Sequence, residues 1–260
     1  MGIMGATIAP IGKLIGVPSV VFYDTENATL TNKYVYPTAT FFVTPKCYKE
    51  NVGKNHIRYK GYHELAYLHP NYFKPDPSIL EKADLSKNEK FTIMRFVSWG
   101  ASHDVGHFGI SFENKKKAVE EFSKFGNVLI TSEKKLPYPL DKYRISIPPE
   151  NIHSLMYYAT LLYGESATMA SEASMLGTYS IYLDNAGRGY TDEQEKKYGL
   201  VSNFSESKED QLLSIEKGIE ILNDKNSKEK AKKIHLNLLD ENIDVTKYMI
   251  NFIENEVKNE

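Results

Sequence analysis

Short runs of β-branched and aromatic residues alternate with segments of helical period along most of this chain, and that alternation restricts its fold more than any other feature. Apolar runs at 18–22, 40–43, 91–97, 128–131, 161–163 and 180–183 are too short for helices and read as buried strands. Between them, 28–36, 114–125 and 168–176 carry helical spacing. Strand and helix taken in turn are the mark of βα units on a mostly parallel sheet, so the fold class is α/β. The part after residue 88 holds enough strands for a complete sheet. The first part does not: no strand is expected before Pro18, and this domain is read as truncated, with an unpaired sheet edge and apolar helix faces left open.

The reading divides the chain into a partial N-terminal domain over 1–60, a linker over 61–87, a C-terminal domain over 88–240 and an amphipathic helix over 241–260. The linker assignment rests on Gly61-Tyr62-His63-Glu64-Leu65-Ala66-Tyr67-Leu68-His69-Pro70 and Pro75-Asp76-Pro77, where prolines and aromatics crowd without a period. In the last helix Val245, Tyr248, Met249, Phe252, Ile253 and Val257 share one face. That face packs on its own domain, crosses back to the first one, or meets a membrane or partner.

Charge and cysteine usage exclude whole classes. A formal net charge of -2 leaves no overall positive excess to hold nucleic acid or an anionic membrane. The single Cys47 rules out an intramolecular disulfide framework and a multi-thiolate metal site within one chain, and fits a reducing, cytoplasmic setting. Pro10, Lys13 and Pro18 interrupt the apolar opening, and no transmembrane segment is expected.

The most informative stretch runs from Leu161 to Gly177: a buried strand, a Gly-Glu-Ser turn, then a helix of small residues. Amide groups at Ala167, Thr168 and Met169, with the Ser166 and Thr168 hydroxyls beside them, would face an anion, and the aligned peptide dipoles would favour its charge. Glu172, a little over one turn in, is placed to accept hydrogen bonds from ribose hydroxyls. The same spacing also describes an ordinary helix capped by Ser166, with Ala170, Ala173 and Leu176 in the core.

The run 164–177 with the strand after it resembles the nucleotide-sugar-binding segment of the GT-B superfamily, especially the UDP-N-acetylglucosamine 2-epimerases. There a Ser-Gly-Gly turn precedes a helix carrying a ribose-binding Glu. Ser166 and Glu172 match that pattern, while Ala167 and Thr168 replace the two glycines. A closer resemblance covers nearly the whole chain. Tyr59-Lys60-Gly61-Tyr62-His63-Glu64-Leu65-Ala66-Tyr67-Leu68-His69-Pro70, Arg95-Phe96-Val97-Ser98-Trp99, Ala101-Ser102-His103-Asp104 and Thr168-Met169-Ala170 with Glu172-Ala173 are similar to a family of unknown function described as predicted glycosyltransferases. The resemblance implies a GT-B-like chain of two Rossmann-like domains with parallel sheets and leaves the reaction open.

Other candidates follow from position. The loop Gly100-Ala101-Ser102-His103-Asp104-Val105-Gly106 comes after the first strand of the second domain, where ligands of open α/β sheets gather. In the resembling epimerases this loop carries a His near the diphosphate, and His103 takes the comparable place, with Asp104 to orient it or accept a proton. Arg95, on the preceding strand, pairs with phosphate or forms a structural ion pair. In the first domain Asp24-Thr25-Glu26-Asn27 closes a strand. The resemblance matches Glu26, with Asp24 as second choice, to a catalytic Glu, and the competing reading makes the quartet a helix cap. His103 and His107 at i and i+4 also suggest a zinc hydrolase, but Asp stands where Glu is needed, Gly106 interrupts the helix, and no third ligand is marked.

The expected function is therefore binding of a nucleotide-sugar, a UDP-sugar first, with glycosyl transfer or sugar epimerisation as the chemistry. Glu26, His103 and Asp104 are the catalytic candidates; Arg95, Ser166, Ala167, Thr168 and Glu172 bind substrate. No cofactor and no metal are expected. The alternatives are an inactive nucleotide-sugar-binding remnant, a subunit completed by another chain or paired as a homodimer, and, least, a metal-dependent hydrolase. The sugar acceptor is left undefined.

Overall fold

The computed structural model describes residues 1–97, 108–132 and 135–257. In chain order the elements are β1 (Gly2–Ile3), α1 (Ile8–Ile15), β2 (Val20–Phe22), α2 (Thr29–Val35), β3 (Phe41–Pro45), β4 (His56–Tyr59), α3 (Leu65–Leu68), α4 (Ser78–Lys82), β5 (Phe91–Phe96), α5 (Phe112–Phe122), β6 (Asn127–Ser132), α6 (Ile152–Tyr158), β7 (Leu161–Gly164), α7 (Ala167–Met175), β8 (Tyr179–Leu183), α8 (Gly189–Glu193), β9 (Val201–Phe204), α9 (Lys208–Asn223), α10 (Ser227–Glu241) and α11 (Val245–Phe252). They form two compact units. The first comprises Met1–Tyr72, Arg188–Glu193 and Leu239–Glu260, the second Phe73–Gly187 and Gln194–Leu238. Among the described residues no helix is long and apolar enough to cross a membrane.

The first unit carries a parallel sheet in the order β1-β2-β3-β4. Every residue of β2 is buried, as befits a parallel strand covered on both faces. On one face Val21, Tyr23 and Phe42 pack with Ala9 and Val35 from α1 and α2. On the other, Phe252 of α11 meets Phe22 and Phe41 edge-on at 6.3 and 5.5 Å, and Tyr248 lies 5.3 Å from Tyr59. The apolar stripe of the last helix is thus spent inside the first unit. Asp244 starts that helix by accepting from the Lys247 amide at 2.9 Å.

Three expectations change here. A strand does precede Pro18: Gly2 and Ile3 pair in parallel with Val21 and Phe22, an element too short to leave any period in the sequence. Residues 61–70 do not link the two units but belong to the first, where Tyr62 and Leu65 are fully buried and His63 and Glu64 nearly so. Their aromatics lack a period because they fill space from a packed loop and a single helical turn. The quartet at 24–27 does not cap α2, whose N-cap is Ala28 with no side-chain bond; the Asn32 side-chain Nδ2 instead donates to the Glu26 carbonyl at 2.8 Å.

The second unit carries a parallel sheet in the order β6-β5-β7-β8-β9. Met94, Phe96, Ile130, Leu161, Tyr163, Ile181 and Leu183 point to the face covered by α5 and α9. Their strand neighbours at Ile93, Arg95, Leu162 and Gly164 point to the opposite face by the two-residue alternation. There α7 lies against the sheet through Ala170, Ala173 and Ser174, and the Ser180 hydroxyl donates to the Ala170 carbonyl at 3.0 Å. Gly164 leaves no room for a side chain between β7 and β5: a Cβ there would sit 2.1 Å from the Arg95 carbonyl oxygen.

Candidate functional site

In the second unit the chain leaves β5 for β6 on one side and later returns to β7 on the other, so the strand order reverses between β5 and β7. At such a reversal the loops after the two strands diverge and leave a crevice beyond their carboxyl ends. Val97 follows β5 at this point, and Gly164-Glu165-Ser166 lead from β7 into α7.

Glu165 organises this corner. Its carboxylate is buried, accepts from the amides of Val97 at 2.8 Å and Ile110 at 2.6 Å, and is paired with Lys115 at 3.0 Å. The Lys115 ammonium also lies 4.7 Å from the centre of the Phe96 ring. Glu206 does the same work next door, accepting from the Phe108 and Gly109 amides at 2.7 and 3.0 Å. One carboxylate therefore fixes the end of β5 and the approach to α5, directly before the helix that carries the predicted site.

The Ser166 hydroxyl accepts from the Met169 amide at 3.3 Å, so Ser166 is the N-cap of α7. The Met169 amide is thereby spent. The amides of Ala167 and Thr168 have no acceptor among the described residues, and Thr168 is exposed. Two donors at the positive end of the helix dipole thus have no acceptor among the described residues. The two readings of this stretch, cap and anion site, are compatible, because the cap consumes only one amide. Arg95 is half-buried on β5, paired in register with Gly164 and pointing to the face that α7 covers, and its carbonyl accepts from the Glu165 amide at 3.1 Å.

Glu172 lies roughly 7.5 Å along the axis from the first helical residue. It is buried, and its carboxylate is 2.9 Å from Nε2 of His153 on α6. The imidazole holds the carboxylate in one orientation. Ser171, next to it, accepts from the Gln194 amide at 2.7 Å and anchors the inner face of the helix.

The candidate residues of the first unit form a separate arrangement. Glu26 Oε1 accepts from the amides of Lys49 and Gly189, both at 3.2 Å, while Oε2 is buried without a partner. Burial raises its carboxyl above the ordinary value of 4.5, and the amide bonds and Lys49 work against that rise. Asp24 accepts from the Thr25 hydroxyl at 2.8 Å. The Cys47 thiol is pushed up by burial and by the neighbouring Glu193, Glu64 and Glu26, so it is not an activated nucleophile. His103 and Asp104 lie outside the described residues, as does His107. Among the described residues no three acidic, His or Cys side chains are grouped to hold a metal ion.

Glu165, Glu206 and His153 were not singled out from the sequence. Glu165 had a local signal, an acid wedged between an apolar strand and a helix cap. His153 had none, because its partner is 19 residues away and meets it only through the packing of α6 on α7.

The family described as Protein of unknown function (DUF354) matches residues 9–250. An uncharacterized protein of Methanocaldococcus jannaschii is 27% identical over 183 residues, 65% of this chain and 52% of the relative, so the chain spans about half the length of that curated relative. Among solved structures, a protein of Listeria monocytogenes described as a UDP-N-acetylglucosamine 2-epimerase superposes with a TM-score of 0.52 at 14% identity, over 82% of this chain and 61% of that one. Spinosyn rhamnosyltransferase SpnG gives 0.60 at 9% identity over 97% and 70%. MnaA of S. aureus with UDP gives 0.56 at 11% identity over 95% and 70%. At these identities the likeness is one of fold, and the fold is that of the GT-B glycosyltransferases.

Proposed function

This chain belongs to the DUF354 family, and from that membership and the geometry above we propose that it binds a nucleotide-sugar, a UDP-sugar first, and catalyses glycosyl transfer or sugar epimerisation. The observation that carries the reading is the pair of unspent amides at Ala167 and Thr168, placed where the strand order of the sheet reverses. In this reading those amides, the Thr168 hydroxyl and Arg95 hold the diphosphate, and the α7 dipole stabilises it as a leaving group. Glu172, oriented by His153, takes the ribose hydroxyls. Glu26, whose carboxyl burial raises above its ordinary value, or His103 with Asp104, moves the proton on the sugar or acceptor. Neither cofactor nor metal has a part, since the helix end supplies the positive potential. Support comes from fold neighbours seen with UDP and with thymidine diphosphate.

Calorimetric titration of UDP into the wild type and Glu172→Ala tests this. The wild type binds, and the variant is expected to bind about tenfold more weakly, a loss of about 1.4 kcal/mol. No binding by either protein overturns the proposal. Equal binding by both removes only the ribose role of Glu172.

One observation favours a second reading. Among the described residues β1 pairs only with β2, and Ile3, Leu14 and Ile15 beside that open edge are 66%, 84% and 63% exposed. In this reading the chain is an inactive binding subunit, completed by a partner chain or a second copy that covers β1 and α1. Release of UDP from a UDP-sugar by the chain alone would remove it.

A further inference from the structure

At the opposite end of the second sheet, before β5 and β7 begin, a cleft of about 490 Å³ opens beside the start of α10. Its volume is that of a small-molecule site rather than a single water-filled dent. Five lysines line it, Lys87, Lys90, Lys225, Lys228 and Lys232, against two glutamates. One of those, Glu89, is already engaged, accepting from the Ser86 amide at 2.9 Å and the Asn127 side chain at 2.6 Å. Among the described residues Lys87, Lys225, Lys228 and Lys232 have no carboxylate within ion-pair distance.

Three of the cations, Lys90, Lys228 and Lys232, are held in place. The Lys228 ammonium donates to the Tyr158 carbonyl and lies 6.0 Å from the centre of the Tyr158 ring, and Lys232 lies 5.3 Å from that of Tyr157. Lys90 donates to the Leu222 carbonyl at 3.0 Å, at the end of α9. Two amides at the start of α10, those of Lys228 and Glu229, have no acceptor among the described residues. The second, independent mark of a ligand is Ser227. This residue lines the cleft, is 2% exposed, and its hydroxyl oxygen is buried without a hydrogen-bond partner.

We propose that this cleft is a second anion site, taking a small phosphate-bearing ligand through the lysines, the Ser227 hydroxyl and the first amides of α10. It lies roughly 15–20 Å from the Ala167 and Thr168 amides, the length of the strands between them, so one diphosphate cannot occupy both. Burial and the neighbouring Lys232 lower Lys228 to about 8, the electrostatic strain that a bound anion would relieve.

Inorganic pyrophosphate is the probe, titrated calorimetrically into the whole chain with and without saturating UDP. Expected is a pyrophosphate isotherm that survives UDP, weakens at least tenfold in the pair Lys228→Ala with Lys232→Ala, and is unchanged in Glu172→Ala. Lys228→Gln with Lys232→Gln serves if the alanine pair fails to fold, and Lys232→Arg should retain binding. UDP alone, titrated into the alanine pair, separates a free pyrophosphate site from a second seat for the nucleotide: a second UDP lost in that pair assigns the cleft to nucleotide phosphates. The site is refuted if pyrophosphate binds the lysine variants as it binds the wild type, or binds none of the proteins at millimolar concentration. These outcomes do not depend on whether UDP occupies α7.

Discussion

The two sheets end differently at the carboxyl side of their strands. In the second unit the order reverses between β5 and β7, the corner is tied together by the buried Glu165 carboxylate, and the Ala167 and Thr168 amides remain unspent. In the first unit β1 to β4 follow one another without reversal, and the chain fills the strand ends itself. Glu26 there takes the amides of Lys49 and Gly189, the Tyr62 hydroxyl donates to Glu193 at 2.7 Å, and His63 and Glu64 are buried. Both ends use a carboxylate to collect backbone amides from separate segments. Among the described residues the one at the strand-order reversal leaves the Ala167 and Thr168 amides over, and it is there that the proposed diphosphate seat lies.

The sharpest way to break that contrast is to remove Glu165. Replacement by Ala strands Lys115, the buried Ile110 amide and the half-buried Val97 amide, and the expected loss is about 3–5 kcal/mol of stability, read by urea denaturation. A loss within the range of a surface substitution would mean that the corner is held by something else. Gly164→Ala comes next. Its Cβ would meet the Arg95 carbonyl at 2.1 Å, so β5 and β7 must separate, at a cost of about 1–3 kcal/mol. UDP affinity should fall with it, because the same two strands set the crevice.

Ser166→Ala is a smaller perturbation and discriminates the two roles of this helix start. Losing the bond to the Met169 amide costs about 1 kcal/mol of stability, and Ser166→Gly only a few tenths. If the hydroxyl served only as a cap, UDP affinity would be the same in the Gly variant as in the wild type; a loss of affinity in both variants would give the hydroxyl a place on the ligand.

Strands β2, β3, β5, β6, β7 and β8 were legible because each carries a short, mostly apolar run, as at Val20-Val21-Phe22 and Leu161-Leu162-Tyr163, whereas β4, His56-Ile57-Arg58-Tyr59, carries no such run and was not read. Helix α7 was legible from its local pattern: a cap residue after a buried strand, then small side chains. What escaped was chemistry that is not local. The two residues of β1 and the half-buried Ser202 and Asn203 of β9 carry no alternation strong enough to read. His153 acquires meaning only once α6 packs on α7. The motif Gly61-Tyr62-His63-Glu64 was taken for a connection because buried loops use aromatics and charges without a period, and burial cannot be read where no period reports it. Ser227 and the lysines around α10 carry no local signal, since they meet the starts of β5 and β7 only in the folded unit.

The smallest effect concerns Glu26 and follows from linkage. Its carboxyl titrates above 4.5 in the folded chain because burial disfavours the charge. The folded state therefore holds the proton more tightly than the unfolded one. The stability this contributes is fully present below pH 4.5 and is lost as pH rises through the raised folded value. Glu26→Gln removes that titration while leaving an oxygen for the Lys49 and Gly189 amides and placing an amide nitrogen where Oε2 has no partner. The stability of the variant relative to the wild type should rise as pH climbs from 4.5 through the raised folded value and level off above it, in urea denaturation series at several pH values. Parallel curves would show that the carboxylate is solvated when ionised, and the first unit's strand ends would then be open to solvent as well, erasing the contrast with the second. If Glu26 moves the proton in turnover, the low-pH limb of kcat/KM must follow the same raised value, and an unshifted limb would leave proton transfer to another group.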